Sequence, residues 1–100
     1  MDVNRAIRMA VDTGDVTFGA RGTTAAASTG ASKMIIIARN CPKKTRDEIE
    51  RNSKISGVPV IVFGGTSIEF GSLCGKPFPV STLSITDPGN SNILEAVKKD

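Results

Sequence analysis

The chain has 100 residues and a mass of 10.5 kDa, a length that supports one domain burying about 64% of its unfolded surface. Its 39% hydrophobic and 23% charged residues, at a mean hydropathy of −0.04, fall in the globular range and exclude a disordered tail, while the longest unbroken apolar run, Met34 to Ala38, is far short of the roughly twenty residues of a membrane span. Thirteen Lys/Arg against ten Asp/Glu leave a net charge of +3, and the absence of histidine removes the commonest general base, the Ser/His and Cys/His nucleophile pairs and, with only two cysteines, a soft-ligand zinc site.

Apolar residues at Val3, Ala6, Ile7, Ala10 and Val11 form the single stripe of an amphipathic helix. Thr13-Gly14-Asp15 ends it, with Gly14 suited to the left-handed position after a helix. Val16-Thr17-Phe18 reads as a short strand, and Arg21 to Gly30, rich in alanine, as a second helix. Lys33 to Ala38 is too short for a helix and too continuously apolar for a half-exposed strand, so a central strand covered on both faces is expected. Pro42 and the capping pattern Thr45-x-x-Glu48 introduce a third helix to about Ser56. Gly57 to Phe63 predicts another buried strand with Pro59 confined to its start. A second capping pattern, Thr66-x-x-Glu69, opens a short helix with Ile68, Phe70 and Leu73 as its apolar residues. Cys74 to Phe78 is a loop, the β-branched content of Val80 to Thr86 favours a strand, and Asp87-Pro88-Gly89-Asn90-Ser91 is a turn that caps a final helix to about Lys98. This alternation predicts an α/β fold: a three-layer αβα sandwich on a four-stranded mixed sheet, in a single domain over residues 1–100.

The N-terminus has no apolar segment behind a positive start, so no secretory signal is expected, and Cys41 and Cys74 are expected as thiols in a reducing compartment. Charge is uneven: ten Lys/Arg against six Asp/Glu precede Val58, and eight of the basic residues lie between Arg21 and Lys54. A basic middle of this kind points to a polyanionic partner, although a solvated basic surface has the same composition.

Binding sites in open α/β sheets gather at the carboxyl ends of strands. Phe18-Gly19-Ala20-Arg21-Gly22-Thr23 runs from the first strand into a helix, where free backbone N–H groups and a guanidinium suit a phosphate. It is neither a P-loop nor G-x-G-x-x-G, and an ordinary strand-to-helix turn with a surface arginine would look the same. Asn40, after the central strand, can offer donors and acceptors to a base edge or simply make an Asx-turn ahead of Pro42. Cys41 has no histidine to activate it and reads as an inert thiol. Gly64-Gly65 allows close backbone approach, and Phe78 after Gly75-Lys76-Pro77 either stacks on an unpaired base or packs inward ahead of the last strand. Asp47, Glu48 and Glu50 read as a solvated cluster. A small nucleotide-binding αβα module built on the Gly19 turn is the reading from another class; no phosphate-loop lysine and no acidic pair support it.

Phe18-Gly19-Ala20-Arg21, Lys33 through Pro42, Gly65 through Lys76 and Asp87 through Leu94, taken in this order and spacing, resemble the L seven A-e superfamily of kink-turn RNA-binding proteins. Within it the sequence is most similar to the L thirty e-type family of large-subunit ribosomal proteins. The resemblance implies a structural, non-enzymatic RNA-binding protein of the cytoplasmic ribosome, with ribosomal RNA and neighbouring ribosomal proteins as partners, no membrane contact, no cofactor or metal, and a monomer off the ribosome. A subunit of another small ribonucleoprotein, or a translation regulator, is the alternative within the superfamily. By the resemblance Arg21 and Asn40 face the RNA bend and Phe78 contacts RNA; with the glycine turns, the expected RNA-binding set is Gly19, Ala20, Arg21, Gly22, Thr23, Asn40, Gly65, Gly75, Lys76 and Phe78. The sequence departs from the family at Gly22 and Ala25, where relatives often carry Ser or Glu and Lys.

Overall fold

A computed structural model describes residues 3–19, 22–23 and 32–93. Helix α1, Val3–Thr13, forms because Ala6, Ile7 and Ala10 turn to one side and are all buried, leaving Arg5, Arg8 and Met9 outside. Its end differs from expectation, since Gly14 is not left-handed. Glycine stands there for space: a Cβ would run into the backbone carbonyls of Asp87 and Ala10, because the chain after the last strand passes directly over this turn.

Strands β1 (Asp15–Phe18), β2 (Met34–Ile37), β3 (Val60–Val62) and β4 (Thr82–Asp87) form one sheet in the order β1-β4-β2-β3. β4 is antiparallel to both β1 and β2, and β2 and β3 are parallel, so the sheet is mixed. Between them lie helices α2, Lys43–Ser56, and α3, Ser67–Leu73. α1 and α3 cover one face, where Ile7 and Phe70 meet Met34, Ile36, Leu83 and Ile85; α2 covers the other, where Ile49 meets Ile35 and Ile37. The αβα sandwich is therefore present, and all four residues of β2 are buried because both faces and both edges of that strand are occupied.

Two strand expectations change. β3 is an edge strand with only β2 beside it, and Val62 is 46% exposed although its composition reads as buried. β4 takes the central position instead, with Thr82 and Ser84 buried opposite Ile37 and Ile35. The Ser84 hydroxyl donates to Ser32 Oγ at 2.8 Å, and Ser32 donates to the Met34 carbonyl at 2.9 Å, so the Ser84 and Ser32 hydroxyls are satisfied within the chain, whereas Thr82 Oγ1 has no partner among the described residues.

Helix starts divide the same way. Thr66 and Glu69 make the expected capping box on α3. The pattern Thr45-x-x-Glu48 does not cap α2, which begins two residues earlier at Lys43 with Pro42 at its N-cap (φ −55°, ψ 140°) and no side-chain cap. Proline's fixed φ and missing N–H make it a suitable entry residue, and the later pattern falls inside the first turns. α2 ends at Gly57 in the left-handed conformation, φ 77°. The expected helix at residues 21–30 is helical at Gly22 and Thr23, and Ile93 is helical where the last helix was expected to begin; the remainder of both lies outside the described residues. No helix among the described residues is long and apolar enough to cross a membrane.

Candidate nucleic-acid interface

Because β1 and β2 both run antiparallel to β4, and β3 runs parallel to β2, the carboxyl ends of β1, β2 and β3 gather at one end of the sheet with the start of β4. Backbone bonds tie these ends together: Gly19 N–H to the Thr82 carbonyl at 3.2 Å, Ala38 N–H to Ser81 at 2.8 Å, and Arg39 N–H to Gly65 at 3.0 Å. The three loops singled out in the sequence are thus brought to one place.

The first loop turns at Gly19, whose φ of 98° is a conformation that favours glycine. Thr23 N–H then bonds the Gly19 carbonyl at 3.1 Å, so the helical turn starts at once. Gly22 has a packing reason for its missing side chain, since a Cβ would sit 2.6 Å from Thr17 Cγ2. Thr23 is fully buried, so its side chain is not presented to a partner and the expected contact there is corrected to a core position. Ala20 and Arg21 lie outside the described residues.

Asn40 is exposed, and its Oδ1 accepts from the Ser67 backbone N–H at 2.8 Å. This bond reaches across 27 residues to the first turn of α3 in place of the local Asx-turn that Pro42 suggested. With the oxygen committed, the amide N–H groups remain to face outward, so Asn40 is equipped to meet acceptors. Gly65 is buried, and a Cβ there would press on Glu69 Oε1 and Phe63; its glycine makes room within the chain and not for a partner.

The third loop is seated on α3. Gly71 is the contact point, because a Cβ at that position would overlap the Phe78 carbonyl, and Lys76 N–H bonds the Gly71 carbonyl at 2.9 Å. Gly75 supplies a left-handed turn, φ 76°. Lys76 then extends over the Phe18 ring, with Nζ 4.9 Å from its centroid, placing a cation beside the Gly19 turn. Phe78 is 49% exposed, which decides between the stacking and core readings in favour of an outward ring.

Phe78 is also the wall of two recesses. One, about 470 Å³, is lined by Phe18, Gly19, Pro42, Thr45, Phe78, Pro79, Val80 and Ser81. The other, about 390 Å³, runs along Ile68, Ser72, Lys76, Pro77, Phe78 and Pro79. Pro42, Thr45 and Ile68 were not expected at the site. The first two are carried there by the opening turn of α2, one turn after Asn40; Ile68 is 70% exposed on the outer side of α3, while Phe70 two residues on points inward. Helical spacing of Ile68 against Phe70 is the signal that would have separated them.

The charges around this end are unequal in freedom. Lys43 is held by Asp47 at 2.8 Å and Arg46 by Glu50 at 3.4 Å, both one helical turn apart, and the Asp47 hydrogen bond raises Lys43 while lowering Asp47. Arg39 and Lys44 are exposed and, among the described residues, have no such pairing. Cys41 and Cys74 are free and buried; burial raises the first and pushes the second up to about 11, so both stay neutral thiols near pH 7 and neither is activated as a nucleophile. No group of acidic or sulfur ligands able to hold a metal occurs among the described residues.

Residues 1–95 match the sequence profile described as the ribosomal protein L7Ae/L30e/S12e/Gadd45 family. The chain is similar to the protein named large ribosomal subunit protein eL30 from Methanothermobacter thermautotrophicus, 47% identical over 97 residues that cover 97% of this chain and 99% of that one. The protein of the same name from Methanosphaera stadtmanae is 50% identical over 95 residues, covering 95% and 97% of the two chains. That from Methanobrevibacter smithii is 44% identical over 98 residues, covering 98% and 99%.

Proposed function

The chain belongs to the ribosomal protein L7Ae/L30e/S12e/Gadd45 family, and from that premise we propose that it is a structural, non-catalytic constituent of the large subunit of the cytoplasmic ribosome. There it binds bent, kink-turn-like ribosomal RNA and touches neighbouring ribosomal proteins; off the ribosome it is a monomer, and its 100 residues act as one RNA-binding domain. The observation that carries the RNA reading is the convergence of three loops on an open groove walled by the exposed Phe78 ring.

The chemistry follows from what each part can offer. A bend in RNA splays bases out of the stack, and an unstacked base presents a π-face that an aromatic ring can cover. Phe78 supplies that ring, and the recess between Phe18, Pro42 and Phe78 has apolar walls to receive the base. Asn40, its oxygen bonded to Ser67, directs amide N–H groups at base acceptors such as guanine O6 or N7. Lys76 beside Phe18 and the backbone of the Gly19 to Gly22 turn hold phosphates, with Arg21 adding a bidentate fork.

Gel-shift titration against a kink-turn RNA and a straight duplex of equal length tests the reading. The bent RNA is expected to bind more tightly, with log affinity falling against log salt at a slope of about −2 to −4, as three to five phosphate contacts require. Equal affinity for the two RNAs, or a slope near zero, overturns it. Asn40→Asp sharpens the test, because it keeps the acceptor for Ser67 N–H and puts a negative charge near a helix start, where it is tolerated. It removes the amide donors and adds repulsion toward phosphate. Affinity for the bent RNA should therefore drop about tenfold or more, roughly 1.4 kcal/mol, while the midpoint of thermal unfolding does not fall.

A further inference from the structure

The solvent face of α2 carries charge that the loop site does not use. Lys44, Arg51 and Lys54 are exposed, and among the described residues none of them has an ion-pair partner, in contrast to Lys43 and Arg46, which are held by Asp47 and Glu50. At 100° per residue, Lys44 and Arg51 lie within about 20° of each other on the helix surface and Lys54 within about 80° of Lys44, opposite the buried Ile49 and Ser53. The three cations extend about 15 Å along the axis. α2 starts at the loop end of the sheet, where Pro42 and Thr45 line the groove, and ends at Gly57 at the far end, where β3 begins. The row therefore leads away from the groove.

We propose that this face of α2 is a second RNA-contacting surface, a track that holds the phosphate backbone of one duplex arm leading out of the bend. The proposal rests on the reading of the loop end as the site of the bend. Charge complementarity selects the occupant. A polyanion meets three unpaired cations in a row, whereas the cores of protein interfaces are depleted in charge and the only large apolar residue on this side of the helix is Ile55. The contact reads no sequence, since lysine and arginine on flexible stems meet phosphates and not base edges. It adds affinity and orients the arm while the loops recognise the bend. Two acidic groups share the face and oppose a phosphate: Glu48, about 40° from Lys44 and not ion-paired among the described residues, and Asp47, about 60° from Lys44 on the other side and held by Lys43.

The track predicts a dependence on arm length. Kink-turn RNAs with each stem in turn cut short near the bend, or extended by a full helical turn, are titrated in gel shifts with the wild-type chain, the triple variant Lys44→Gln/Arg51→Gln/Lys54→Gln, and Glu48→Gln. Extending one of the two stems should tighten wild-type binding about tenfold at low salt. The triple variant should lose that gain and flatten the salt slope on the long RNA by about 2, yet bind the short RNA as the wild type does. Glu48→Gln should raise the gain a further two- to threefold. All the substitutions are at exposed positions, and circular dichroism confirms that the variants fold. A gain that survives in the triple variant, or no gain from either stem, overturns the track, and the second result leaves the face to a neighbouring protein. Equal binding of bent and straight RNA overturns the reading of the loop end instead, and the arm-length comparison still judges the track by itself.

Discussion

Phe70→Ala is expected to lower the free energy of unfolding by about 3–5 kcal/mol, the range for truncating a fully buried phenylalanine. The ring comes from α3, has no exposed surface, and stacks on Phe63 with centroids 4.7 Å apart at 18°. It belongs to the cluster that joins α1 to the sheet through Ile7, Ala10, Met34, Ile36 and Leu83, so its loss opens a cavity bounded by rigid neighbours on several sides. A domain has a net stability of only about 5–15 kcal/mol, so the variant should unfold at markedly lower urea concentration. A loss under about 1 kcal/mol would show that the core closes around the gap and that α3 is not anchored as the packing implies. The same helix seats the Phe78 loop at Gly71 and receives Asn40 at Ser67, and damage to its anchorage should therefore weaken RNA binding as well.

Phe78→Ala should do the reverse. A ring 49% exposed between two open recesses has little burial to lose, and the expected change in unfolding free energy is below about 1 kcal/mol. Stacking of a base on an aromatic side chain contributes about 1–3 kcal/mol, so affinity for the bent RNA should fall by about 5- to 150-fold. Binding to a straight duplex, which offers no unstacked base, should change little. Urea unfolding and gel shifts on one preparation separate the two outcomes. Stability lost to the extent seen for Phe70→Ala, with RNA binding intact, would make Phe78 a packing residue and remove the stacking wall from the site.

What the chain determines locally is readable without the fold. The stripe Ala6-Ile7-Ala10 requires one apolar side for α1 whatever lies opposite, and the run Met34–Ile37 can be satisfied only between two covering layers. The Thr66/Glu69 box is a bond between residues three apart and depends on nothing distant. Local pattern also located the loops of the candidate site, because glycines and the asparagine mark the chain where strands end. Everything settled by pairing across the sequence was out of reach. β3 and β4 are both short β-branched segments, and only their partners make the first an edge with Val62 in solvent and the second a centre that buries Thr82 and Ser84. Asn40 has two polar ends, and which of them is spent was decided by a backbone N–H 27 residues away. Gly14 looks like a turn residue in the sequence but serves a close contact with the distant backbone of Asp87 and Pro88, and Gly71, within the expected helix, makes room for the Phe78 carbonyl. Phe78 in a loop can turn inward or outward, and it faces out because the carbonyl of that residue lies against Gly71 on a helix whose inner face is already filled by Phe70. Spacing along a chain encodes which side of an element is apolar, whereas the identity of what meets that side depends on long-range contacts that form only when the whole core closes.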